Sequence, residues 1–98
     1  MTTRTRRSRT AFETVGFPPD EAEHLRIRAD LMIELTRLIE KQGLTQGQAA
    51  ELLGVTQPRV SDLMRGKIDR FSIDTLVTML SHAGADVTVK VRRRRSAA

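Results

Sequence analysis

The 98-residue chain contains no cysteine, tryptophan or tyrosine, and only three phenylalanines. Without cysteine there is no disulfide framework, thiolate zinc site or catalytic thiol. With so few aromatics the core must be aliphatic, and stacking bases on aromatic rings is excluded as the main binding mode. No apolar run approaches the roughly 20 residues needed to cross a bilayer, and the N-terminus carries arginine where a secretory signal would be apolar. The reading is a cytoplasmic protein with no membrane contact. His24 and His82 stand far apart with no HExxH-type spacing, and there is neither a phosphate-cradling glycine loop nor a GxSxG turn. Catalysis, a metal site and a cofactor are therefore not expected, and both histidines are read as surface or core-edge residues.

Positive charge is plentiful but unevenly placed. The net charge is +5 and the isoelectric point about 11, which points toward a polyanionic partner. Arg4, Arg6, Arg7 and Arg9 lie in the first ten residues, and Arg92 to Arg95 in the last seven. Between Ala11 and Val91 there remain 9 basic and 12 acidic residues. The part that can fold is thus slightly acidic, and any basic footprint on it must be local. About 80 foldable residues make a small core, which self-association would help to stabilise.

Residues 1–10 hold no large apolar side chain after Met1 and are expected to be a disordered arginine-rich arm. Residues 11–84 are expected to form one helical domain. In "AFETVGFPPD", Phe12 and Phe17 read as a hook packed on it or as an exposed docking segment, and Asp20 as an N-cap. Leu25, Leu31, Met32, Leu35, Leu38 and Ile39 recur at helical spacing, predicting a long helix over Glu21–Gln42 closed by Gly43. Thr45 caps a short helix ending at Gly54, and Thr56 caps another that tolerates Pro58 in its first turn and closes at Gly66. After the loop "KIDRF", Ser72 caps a fourth helix with Ile73, Leu76, Val77 and Leu80 on one face. Over residues 85–91, Val87, Val89 and Val91 alternate with Thr88 and Lys90, the period of a half-buried strand. A lone strand needs a partner: residues 10–16, a second copy of the chain, or another protein's sheet. Residues 92–98 are a basic tail.

The most specific stretch is "LTQGQAAELLGVTQPRVSDLMRG", Leu44 to Gly66, two capped short helices joined by a tight turn. That is the anatomy of a helix-turn-helix. Ala50 is small where the helices approach, Gly54 accepts the left-handed turn conformation, and Val55, Val60 and Leu63 fill the wedge. A generic helical hairpin would require neither the Gly-Val turn nor two caps so close together.

These residues resemble the lambda-repressor-like, Cro/C1-type (XRE) family, whose pattern is LTQ…AA…LGV(S/T)Q…VS.L..G. With "GFPPDEAEHL" before the long helix and the valine-alternating end, Ala11 to Val91 looks most like the HigA-type antitoxin branch. The resemblance implies an all-α helix-turn-helix bundle with a short C-terminal β-strand. It also implies a repressor of its own operon that neutralises a small HigB/RelE-like ribonuclease toxin. The other reading is a stand-alone or phage-type repressor without a toxin.

In a helix-turn-helix the second helix of the pair enters the major groove. Gln57 is the prime base reader, because an amide can serve adenine N6 and N7 together. Thr56 and Gln57 match positions that the family uses at DNA, whereas Pro58 replaces a polar reader and offers only apolar contact. Ser61 and Asp62 lie one turn beyond Gln57 and Pro58. Asp62 either accepts from cytosine N4 or holds Arg59 or Arg65, and Arg59 reaches guanine or phosphate. Gln46, with the N–H groups beside it, and Arg65, Lys67 and Arg70 are expected to clamp phosphates. Lys90 and Arg92 to Arg95 extend that contact or form a solubilising tail, while the N-terminal arginines enter the minor groove, bind nothing specific, or are ordered by a toxin. The expected assembly is a homodimer on double-stranded DNA with a palindromic operator, its reading helices about 34 Å apart.

Overall fold

The computed structural model describes residues 16–93, which form four α-helices. They are α1 (Pro19–Lys41), α2 (Gln46–Leu53), α3 (Gln57–Met64) and α4 (Ile73–His82), with a 3₁₀ turn over Ile68–Arg70 between α3 and α4. The arm over residues 1–10, Phe12 and Val15, and the end of the basic tail from Arg94 on lie outside the described residues.

Helix α1 begins two residues earlier than its acidic start suggests. Pro18 stands at the N-cap and Pro19 is the first helical residue, so Asp20 lies in the first turn and is not the cap. Proline needs no N–H there, and Asp20 and Glu21 complement the positive end of the helix dipole. α1 buries Met32, Leu35 and Ile39 against the rest of the domain. From there the core runs through Ala49, Ala50, Leu53, Val60 and Leu63 to Phe71, Leu76, Met79 and Leu80. The buried face of α4 is Leu76, Met79 and Leu80, while Ile73 and Val77 are only half-buried.

Both ends of these helices are defined by short motifs. Thr56 and Ser72 accept the N–H of Arg59 (3.4 Å) and Thr75 (3.1 Å). At the other end, the N–H of the residue after the glycine reaches back five residues: Leu44 to Ile39 O (3.1 Å), Val55 to Ala50 O (3.0 Å), Lys67 to Asp62 O (3.0 Å) and Ala85 to Leu80 O (3.0 Å). This is the Schellman closure. Leu44, Val55 and Phe71 each precede a cap, the position from which a staple reaches the fourth helical residue, here Ala49, Val60 and Leu76. All three of those residues are fully buried.

The expected C-terminal strand is absent among the described residues. After Ala85 no residue donates a backbone hydrogen bond to another described residue, and residues 85–93 carry no ladder among the described residues. Strand structure is cooperative between neighbours, and no second strand stands beside this one in the described chain. Ala85 and Val87 pack on the core, whereas Val89 and Val91 are 78% and 87% exposed. Among the described residues, no helix is long and apolar enough to cross a membrane.

Candidate nucleic-acid interface

Helices α2 and α3 are held together by the turn at Gly54. Its φ of +71° is left-handed, and its N–H donates to Glu51 O (3.3 Å) while Val55 N–H donates to Ala50 O. A Cβ on Gly54 would stand 2.9 Å from His82 Nδ1, so the end of α4 presses directly against the turn. The left-handed backbone favours glycine, and any side chain here would also push the exposed His82 ring aside. Ala49, Leu53, Val60 and Leu63, all essentially unexposed, fix the angle between the two helices.

The start of α2 is closed by a reciprocal capping box. Gln48 N–H donates to Thr45 Oγ1 (3.1 Å) and Thr45 N–H donates to Gln48 Oε1 (2.9 Å). The N–H groups of Gln46 and Gly47 find no acceptor among the described residues and remain available to an anion. Gln57, exposed in the first turn of α3, brings its Oε1 within 4.0 Å of the position a Cβ on Gly47 would occupy. The amide side chain expected to read bases thus stands beside the free donors expected to hold phosphate.

Thr56 and Pro58 are exposed beside Gln57, and Pro58 occupies the first turn of α3 without disturbing it. Gln57, Ser61 and Arg65 follow one another at four-residue intervals and make one stripe of α3, with Ser61 half-buried. Arg59 is directed back onto the domain. Its guanidinium lies 5.0 Å from the centre of the buried Phe71 ring and donates to Arg70 O (3.2 Å). Arg70 in turn donates to Asp62 Oδ2 (3.4 Å), so Asp62 holds Arg70 and neither Arg59 nor Arg65. Arg65 and Lys67 make no ion pair with any described residue.

Two supporting residues escape a local reading of the sequence. Arg28 of α1 donates to Ile68 O (3.2 Å) and Phe71 O (3.5 Å), fastening the 3₁₀ turn from forty residues away. Phe71, read as loop, is among the largest fully buried side chains. Its place directly before the Ser72 cap is the signal that marks it, since that is where a staple sits. Among the described residues no group of three or more His, Cys, Asp or Glu is placed to hold a metal ion.

The model of a family described as a helix-turn-helix domain matches residues 14–92. A solved structure named as an XRE-family transcriptional regulator is 34% identical, with a TM-score of 0.72 over 80% of this chain and 91% of that one. No curated protein matches the chain. A family match spanning nearly the whole folded body, and a relative alike in sequence and fold along almost its full length, lead to one assignment: the chain belongs to the XRE family of helix-turn-helix transcriptional regulators.

Proposed function

We propose that the chain is a repressor that binds a palindromic operator in the cytoplasm as a homodimer, with α3 in the major groove. The observation that carries this reading is the meeting of Gln57 with the free N–H groups at the start of α2, flanked at the far end of α3 by Arg65 and Lys67, which pair with no described residue. Gln57 reads a base, with Pro58 and Ser61 beside it. Gln46 and the N–H groups of Gln46 and Gly47 hold one phosphate, and Arg65, Lys67 and Arg70 hold others. Thr56 sets the helix start, while Arg59 and Asp62 brace the surface through Phe71 and Arg70.

The test is operator selection from a random DNA library followed by Gln57→Ala. One bidentate amide contact is worth about 1–3 kcal/mol and the dimer loses two, so operator affinity falls by roughly 30-fold or more while binding to unrelated DNA is unchanged. Equal losses on both DNAs would remove Gln57 as a base reader.

The finer role is that of antitoxin, repressing its own operon and neutralising a ribonuclease toxin. It is supported by the likeness of Ala11 to Val91 to HigA-type chains and by the acidic body, which suits a basic partner. Co-expression with any short basic reading frame found beside the gene and recovery of a complex tests it; no complex leaves the stand-alone repressor.

A further inference from the structure

We propose that residues 85–93 of two copies pair as an antiparallel two-stranded ribbon centred on Val89, and that this ribbon closes the homodimer. The inference rests on the dimeric reading above and assigns it a surface. The segment has no proline, its backbone groups beyond Ala85 donate to no described residue, and it carries a single apolar row whose outer two members are exposed. An edge of this kind is completed by another strand. Val87 already packs on the core, so the row faces the domain and a ribbon would lie across it.

Charge selects the partner and the direction. With Val89 opposite itself, Val87 faces Val91 of the second copy, Thr88 faces Lys90, and Asp86 faces Arg92. All three valines then share one face, and each basic residue at the end of the segment meets a neutral or acidic one. A parallel, in-register pair would set Lys90, Arg92 and Arg93 each beside its own copy, like against like. Antiparallel self-pairing is also isologous, the symmetry a palindrome requires.

The absence of cysteine makes the test direct. Residues opposite one another in an antiparallel pair have Cα atoms about 4.5–5.5 Å apart, within the range a disulfide spans. In the full-length chain, mild oxidation should convert Val89→Cys to a covalent dimer, whereas Thr88→Cys should stay uncross-linked alone and link only when mixed with Lys90→Cys. Asp86→Arg should weaken dimerisation about tenfold in sedimentation experiments, since two pairs per dimer are lost, and adding Arg92→Asp should restore it. Cross-linking of Thr88→Cys with itself, or no rescue by the double charge exchange, overturns the register. A dimer in which Val89→Cys does not link overturns the ribbon and leaves the dimeric reading standing. A monomeric chain, as expected if the segment waits for another protein's sheet, removes both. Failure of the linked Val89→Cys dimer to bind the selected operator removes the DNA reading and leaves the ribbon.

Discussion

Replacement of Gly54 by alanine tests the turn on which the α2–α3 geometry depends. The backbone there has φ +71°, a region that costs an L-residue about 1–2 kcal/mol. The new Cβ would also stand 2.9 Å from Nδ1 and 3.0 Å from Cε1 of His82, well inside the usual contact distance of about 3.5–4.0 Å. His82 is exposed and its ring can turn aside, at a rotamer cost of about 0.5–1.5 kcal/mol. Alanine recovers part of this by restricting the unfolded chain, about 0.4–1 kcal/mol. The net expectation is a loss of about 1–2 kcal/mol, or a fall in Tm of roughly 4–16 °C for a domain of this size.

With no tryptophan or tyrosine to report by fluorescence, urea unfolding followed by far-UV circular dichroism is the assay. His82→Ala alone, an exposed truncation, should change stability by less than about 0.5 kcal/mol. Combined with Gly54→Ala it should return the share of the loss due to the ring, about 0.5–1.5 kcal/mol of coupling. Gly54→Asn separates the two causes further, because asparagine tolerates the left-handed region but carries the same Cβ. A Gly54→Ala chain as stable as the parent would refute the strained turn, and strict additivity with His82→Ala would refute the contact.

Three further outcomes are expected. Arg59→Lys should cost about 1 kcal/mol, because an ammonium replaces neither the guanidinium stacked on Phe71 nor its bond to Arg70 O; full stability with collapsed operator affinity would place Arg59 at the DNA instead. Arg65→Ala and Lys67→Ala should each reduce the slope of log affinity against log salt by about 1.8, one phosphate contact in each subunit of the dimer, read by fluorescence anisotropy with labelled operator across a salt series; an unchanged slope removes that residue from the phosphate contacts. Thr45→Ala dismantles the capping box and should lower stability by about 1 kcal/mol, with Thr45→Ser close to the parent.

Local chemistry made the helix-turn-helix legible. Thr45, Thr56 and Ser72 are caps because a hydroxyl can accept the otherwise unpaired N–H three residues on, and Gly43, Gly54 and Gly66 end helices because each backbone is left-handed there. The start of α1 was less legible, since Asp20 is a good cap and Pro18-Pro19 reads equally as a turn. What the sequence hides is long-range. Nothing near Arg28 announces Ile68 O, and nothing near Arg59 announces the Phe71 ring, because both partners come from segments brought together only by the folded core. The valine alternation marks a segment able to pair, but no strand stands beside it among the described residues, so periodicity and structure differ there.

The charge distribution explains how a mildly acidic body can present a surface to DNA. Electrostatic potential is screened over about 8–10 Å at physiological salt, so the sign that matters is local and the net value of the domain decides little. On α1, Arg26 holds Glu23 at 2.7 Å and Asp30 at 3.1 Å, and Arg37 lies 3.7 Å from Glu34. Those three carboxylates are met on their own helix by two guanidiniums, which leaves one net negative charge there. Beside α3, Asp62 is met by Arg70, which removes the acid that would otherwise repel phosphate from the reading face. Arg65 and Lys67, at the end of the same helix, make no ion pair with any described residue. Around the end of α3, Arg65, Lys67 and Arg70 stand against Asp62 and Asp69 and leave a local balance of one positive charge, without any excess of bases in the folded body. By the same reasoning, Asp62→Asn should strengthen operator binding, because it frees Arg70 for phosphate, whereas Arg70→Ala should weaken binding more than the loss of one phosphate contact, because it also exposes Asp62.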